Sequence, residues 1–199
     1  MARSIEKKEA ILAAAIEEFK NNGFESTSMD QIAMTASVSK RTVYNHFPSK
    51  ELLFDAILEK MIALFSTAVF IQYQKDTELS VQLKDIARQE IALLSDPAFI
   101  DLARVIMAEL MHSPQRINKA LAEVENRDGD LTSWIVAAQK DGQLNIDDAE
   151  FAATQFFALI KAFCFWPQII QGQTFPDEKQ QENIINSAIT MFLGSYKVS

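Results

Sequence analysis

Arg41, Thr42, Tyr44 and Asn45 bring four kinds of polar side chain together in one short stretch. At roughly 100° per residue on a helix, Val43 and Phe47 share one face, and Arg41 and Asn45 point almost directly away from it, with Thr42 and Tyr44 on the flanks. A guanidinium matches the O6/N7 edge of guanine, and a carboxamide matches the N6/N7 edge of adenine. The outward face is therefore suited to reading base edges in a duplex. Around it lie residues suited to phosphate: Lys40 and His46 flank the helix, and Lys50 follows it. Thr27 and Ser28 stand at the start of the preceding helix, where unpaired N–H groups and the helix dipole favour an anion.

Such a face needs a rigid support, and the flanking sequence predicts one. Ser28-Met29-Asp30-Gln31 is a capping-box pattern, and Ile32, Ala33 and Ala36 give the helix after it a short apolar face. Ser37-Val38 breaks that helix, Ser39 caps the next, and Pro48 ends it at Phe47. Two short helices, 28–36 and 39–47, joined by a tight turn are the helix-turn-helix pattern, whose second helix lies in the major groove. Before them a helix from about Ile5 to Asn22 places Ile5, Leu12, Ile16 and Phe19 on one face and stops at Gly23. After them Ser49 caps a long fourth helix that starts at Lys50 and carries Leu52, Leu53, Ala56, Ile57 and Met61. A lysine in the first turn opposes the helix dipole, but there it is well placed beside a phosphate.

The stretches Thr27-Ser28-Met29-Asp30-Gln31-Ile32-Ala33, Ala36 to Phe47 and Ser49-Lys50-Glu51-Leu52-Leu53 resemble the DNA-binding domain of the TetR/AcrR family of one-component regulators. The resemblance implies phosphate contacts from Thr27 or Ser28, Tyr44, His46 and Lys50, and groove contacts from Arg41, Thr42 and Asn45. Ser37 departs from the pattern, since the family usually has Gly in this turn; Ser adopts a left-handed conformation only at some cost. Leu102 to Glu109 and Phe156 through Pro167 are similar to the C-terminal domain of the AefR-like branch. That branch is associated with repression of efflux or membrane-stress genes, which makes those a target class.

The formal net charge of −8 argues at first against a nucleic-acid partner. Residues 1–50, however, hold seven Lys/Arg and six Asp/Glu, whereas 51–199 hold twelve and twenty-one, and 31–50 contain three basic residues and no acid. The acid lies largely outside the helix-turn-helix. With 5 Gly, 5 Pro and recurrent i, i+3, i+4 apolar spacing, the chain reads as all-α. Five further helices are expected near 78–95, 97–112, 115–141, 148–171 and 178–196, about nine in total. The division expected is a DNA-binding domain at 1–50 and a ligand-binding and dimerisation domain at 51–199.

The single cysteine, Cys164, excludes an intramolecular disulfide and fits a reducing cytoplasm, with the thiol as a small core group. The apolar runs read as too short and interrupted to span a bilayer. No His/Cys/Asp cluster has metal-ligand spacing, and no cofactor motif is present. With His46 and His112 the only histidines, there is no plausible nucleophilic set for an enzyme.

Fourteen Phe, seven Met and two Trp supply lining for an apolar effector pocket. The candidates are Phe65, Arg104, Met107, Met111, Trp134, Phe157, Phe163 and Trp166, with Glu109, His112 and Gln155 as further polar handles. The helix near 148–171 is apolar almost all round (Phe151, Phe156, Phe157, Leu159, Ile160, Phe163), and that near 178–196 carries Ile184, Ile185, Ala188, Ile189, Phe192 and Leu193. A helix apolar on more than one face must bury both, so these two are the expected homodimer interface. The expected function is a ligand-responsive repressor of a palindromic operator, released by a small apolar effector. The alternative is an interaction protein or co-activator of the same fold that no longer reads DNA.

Overall fold

The structure, a computed structural model, describes residues 2–68, 70–110 and 131–198, with side chains for 4–64, 70–109 and 131–198. Its regular structure there is helical: α1 (Ala2–Asn22), α2 (Met29–Thr35), α3 (Lys40–His46), α4 (Lys50–Ala68), α5 (Leu79–Leu94), α6 (Pro97–Leu110), α7 (Leu131–Lys140), α8 (Ala149–Cys164), α9 (Trp166–Gln171) and α10 (Glu178–Tyr196). An isolated antiparallel bridge, Leu144 with Lys197, is the β pairing among the described residues. Two compact units divide the chain: Met1–Leu64 with Asp101–Glu125, and Phe65–Ile100 with Asn126–Ser199. The first unit thus extends beyond the segment 1–50 read from sequence.

In the first unit the local sequence accounts for every early boundary. Gly23 takes φ 79° and donates its N–H to Phe19 O at 2.9 Å, closing α1. The capping box forms as expected: the Ser28 hydroxyl accepts from Gln31 N at 3.2 Å, and Gln31 Oε1 accepts from Ser28 N at 2.8 Å. Ser37 has φ 53°, a left-handed conformation. It lets Val38 N reach back to Ala33 O at 3.0 Å and close the end of α2. Ser39 caps α3 through Thr42 N, and Phe47 leaves the helix with extended geometry ahead of Pro48.

The core of this unit gathers Ile11, Leu12, Ala15 and Phe19 from α1, Met29, Ile32 and Ala33 from α2, and Val43 and Phe47. Leu53, Phe54, Ile57 and Leu58 from α4 join them, with Leu102, Val105 and Ile106 from α6. Phe24 locks the α1–α2 turn by packing on Phe19 and Phe54, at ring-centroid distances of 5.2 and 5.4 Å. Ile5, expected on the apolar face of α1, is exposed instead.

In the second unit α8 packs against α5, α7, α9 and α10, burying Ala152, Ala153, Phe156, Ile160 and Cys164. The sequence reading ran one helix across 148–171. It is broken at Phe165 (φ −137°, ψ −63°), because Pro167 opens α9 and lacks the N–H needed to continue α8. Taken as one segment, Ala149–Gln171 is long and apolar enough, by length and composition, to cross a membrane, contrary to the sequence reading. That apolar character is in part the core of this unit.

Candidate nucleic-acid interface

The second motif helix presents two unlike faces. Val43 and Phe47 are buried in the core, whereas Arg41, Tyr44 and Asn45 are exposed, Tyr44 by 48%. Among the described residues none of these three exposed side chains makes a hydrogen bond or ion pair. Thr42 is half-buried, and its hydroxyl lies 2.8 Å from that of Ser39 in a shared hydrogen bond. The recognition helix is thus held by its apolar face and its cap, while a guanidinium, a phenol and a carboxamide stay available to an outside partner.

The residues expected at the rim divide into available and engaged groups. Ser28 is exposed, and its hydroxyl also donates to Gln31 Oε1 at 2.7 Å. Lys40 is exposed and pairs with Asp30 at 2.6 Å, a surface ion pair of little net strength that a phosphate can displace. His46 is half-buried beside Phe47, at 6.4 Å between ring centroids.

Two of the rim residues are engaged inward. Thr27 is only 3% exposed, and its hydroxyl donates inward to Gly23 O at 2.8 Å and toward Glu18 O at 3.2 Å. Its side chain serves the α1–α2 turn and is not presented to a phosphate. Lys50 is half-buried, and its Nζ donates to Phe24 O at 2.6 Å, Glu25 O at 3.1 Å and Thr27 O at 3.1 Å. The same ammonium lies 4.4 Å from the centroid of the Phe24 ring. Spacing along the chain gives no sign of this, because the acceptors are backbone atoms more than twenty residues away.

The expected effector-binding residues fall in both units. Arg104 lies 3.7 Å from Asp101 and, with half-buried Met107 and buried Glu109, belongs to the first. Trp134, Phe157, Phe163 and Trp166 belong to the second. Trp134 is buried and donates its indole N–H to Gln82 Oε1 at 2.9 Å. Phe157 is half-buried with Lys161 over its ring at 5.5 Å, and Trp166 and Phe163 are exposed, the latter by 56%. Of three surface clefts in this unit, of about 280, 430 and 400 Å³, the first includes Gln155 and the second Phe163 from the expected set. Gln155 is exposed and accepts a hydrogen bond from the Tyr196 hydroxyl. The Phe65 side chain, Met111 and His112 lie outside the described residues.

Sequence reasoning missed the polar contacts that organise the second unit. Gln82 Oε1 accepts from both Trp134 Nε1 and Gln74 N, while its Nε2 donates to Gln74 O and Thr77 O. Glu90, 1% exposed, faces Lys161 at 3.3 Å. Burial and the nearby Glu90 charge push the Cys164 thiol up to about 11, so it is an unreactive core group. Asp141 accepts from Tyr73 and pairs with Lys75, each at 2.8 Å, which hold its carboxyl below the ordinary range.

A buried-and-capped recognition helix with a free polar face defines a helix-turn-helix DNA-binding protein, and comparison with known proteins gives the family. Residues 11–57 match the family described as bacterial regulatory proteins, tetR family, and residues 81–198 match the AefR-like transcriptional repressor, C-terminal domain. A solved TetR family transcriptional regulator from Pseudomonas syringae pv. tomato str. DC3000 is similar at 44% identity and TM-score 0.83, covering 96% of this chain and 97% of that one. The flavonoid-responsive regulator FrrA is similar at 28% identity and TM-score 0.73, covering 96% and 97%. The HTH-type transcriptional regulator RutR of Escherichia coli (strain K12) is 27% identical over 176 residues, 86% of this chain and 82% of its own length. The chain belongs to the TetR family of helix-turn-helix, DNA-binding transcriptional regulators, and it is not an enzyme.

Proposed function

We propose that this regulator is a cytoplasmic, homodimeric repressor, released from a palindromic operator by a small, largely apolar effector. The observation that carries the DNA arm is the free face of α3: Arg41 and Asn45 read base edges, Thr42 lies beside them, and Ser28, Lys40, Tyr44 and His46 position the phosphates. The dimer reading is supported by apolar side chains that α8 and α10 leave exposed, notably Phe151, Phe163 and Met191. Two recognition helices on one face of the duplex then address grooves one turn apart, roughly 34–36 Å. The division of labour follows the sequence reading, with DNA contacts in 1–50 and the effector and dimer functions in 51–199.

An effector acts by preferring the non-binding state, and a preference of about 1–3 kcal/mol relieves repression measurably. The aromatic and Met content supports an apolar ligand, and FrrA, flavonoid-responsive by its name, makes flavonoids a first panel to screen. The AefR-like C-terminal match, described as a transcriptional repressor, supports the repressor reading, and efflux or membrane-stress genes remain the target class that the sequence resemblance implies.

Mobility-shift titration against DNA upstream of the chain's own gene tests the reading. Salt-sensitive binding that is strongly weakened in Arg41→Ala and Tyr44→Ala is expected, as is release by an active flavonoid or other apolar compound. Binding retained in both variants overturns the assignment of the reading face and favours an interaction protein that no longer uses it.

A further inference from the structure

We infer that Glu90 is the hydrogen-bond acceptor for the effector, which is an apolar ring compound bearing a neutral O–H or N–H donor. The inference rests on the effector reading given above and narrows its chemistry.

Glu90 shares the interior face of α5 with Leu83, Ile86, Ala87 and Leu94, at spacings of three, four and seven residues. It is 1% exposed, and its Oε1 has no hydrogen-bond partner among the described residues. Lys161 of α8 faces that oxygen at 3.3 Å, and the same ammonium lies 5.5 Å from the centroid of the Phe157 ring. Cys164, one turn further along α8, is near enough for the Glu90 charge to help raise its thiol. Held protonated, that thiol is at most a weak donor.

An ionised carboxylate offers about four lone-pair sites, and its burial is costly unless hydrogen bonds accompany the ion pair. Gln82, on the same helix, shows what full matching looks like: its oxygen accepts from Trp134 Nε1 and Gln74 N, and its Nε2 donates to two carbonyls. Stability does not account for Glu90 and Lys161, because well-packed apolar residues in place of a buried pair are often neutral or stabilising. A donor supplied from outside the chain does account for them.

The pair also fixes what kind of donor. Lys161 already balances the carboxylate, so the site lacks a hydrogen bond and not a cation. A second buried cation would leave an uncompensated positive charge, which is far more costly than an unmade bond. The donor is therefore neutral. The Phe157 ring and the aliphatic face of α5 suit the apolar body that carries it. Since Glu90 is shut from water, a donor reaches it only as the packing of α5 on α8 parts. Effector binding and a change in this unit's conformation are then one event.

The experiment uses the full chain and a panel of hydroxylated flavones, hydroxylated biphenyls and anilides. Each compound is titrated by calorimetry beside a counterpart methylated at the O–H or N–H, and beside one carrying a protonated aminomethyl group at the same position. Wild type should bind at least one O–H or N–H member about thirtyfold more tightly than its methylated counterpart, and the protonated amine more weakly still. In the double variant Glu90→Leu with Lys161→Met, that preference should fall to about twofold or less while the methylated compound still binds. Glu90→Gln keeps a carbonyl acceptor without its charge, so a preference of about fivefold should survive. It decides the matter if the double variant does not fold.

Equal affinity within every pair for wild type overturns the inference, as does an undiminished preference in the double variant or in Glu90→Gln. Tightest binding of a protonated amine overturns it in favour of a charge-recognising site. If wild type binds no member of the panel, methylated or not, the apolar-effector reading itself falls, and this is seen before any variant is made.

Discussion

The recognition segment and the second unit treat polar side chains in opposite ways. On α3, Arg41, Tyr44 and Asn45 are exposed and have no side-chain partner among the described residues. In the second unit, Gln82, Glu90, Tyr73 and Asp141 are engaged by other parts of the same unit. Both arrangements obey one rule, that a polar group removed from water must be matched. The first segment keeps its groups in water, where on the proposed reading DNA would supply the match. The second engages most of them internally, although Glu90 Oε1 has only the Lys161 ammonium at 3.3 Å and no hydrogen-bond partner among the described residues.

The largest test of this contrast is Lys161→Met, which leaves the Glu90 carboxylate buried without its cation. It should lower unfolding free energy by about 3 kcal/mol in a denaturant titration, and Glu90→Gln added to it should recover much of the loss. Arg41→Ala comes next. It should weaken operator binding by about 2 kcal/mol, roughly thirtyfold, while unfolding free energy stays within about 0.5 kcal/mol of wild type. An Arg41→Ala chain that unfolds easily would erase the distinction between the two regions.

Trp134→Phe removes the indole donor to Gln82 but keeps the ring, and should cost about 1 kcal/mol by denaturant midpoint. The smallest effect is alkaline. Partial burial, followed by the hydrogen bond to Asp141 and the Asp141 charge, pushes Tyr73 from 10.0 up to about 12. Since the folded state favours the protonated phenol, its contribution is complete below pH 10 and is lost as pH rises toward 12. Stability of Tyr73→Phe should therefore fall less over that window, and tyrosinate absorbance should show one late-titrating residue in the wild type.

Local signals made much of the first unit legible in advance. Ser28 with Gln31, Ser39, Gly23 and Pro48 each act on backbone atoms within a few residues, so the caps and breaks of α1 to α3 can be read directly. The 3.6-residue period likewise separated Val43 and Phe47 from Arg41 and Asn45. What escaped was non-local. Lys50 grips carbonyls at 24, 25 and 27, Gln82 meets Trp134, and Glu90 meets Lys161; such pairs depend on helix packing that no window of sequence contains. Thr27 looked like a phosphate ligand because a hydroxyl at a helix entrance serves a turn or an anion equally well. The break at Phe165 is a different kind of miss, since Pro167 was a local signal there to be read.

The freedom of Arg41 and Asn45 also bears on how such a chain can change. Neither side chain helps to hold α3, which depends on Val43, Phe47 and the Ser39 cap. On the reading proposed above, in which these two side chains face base edges, exchanging them would alter which duplex is chosen without first loosening the domain, so single substitutions there would retarget the chain at little cost in stability.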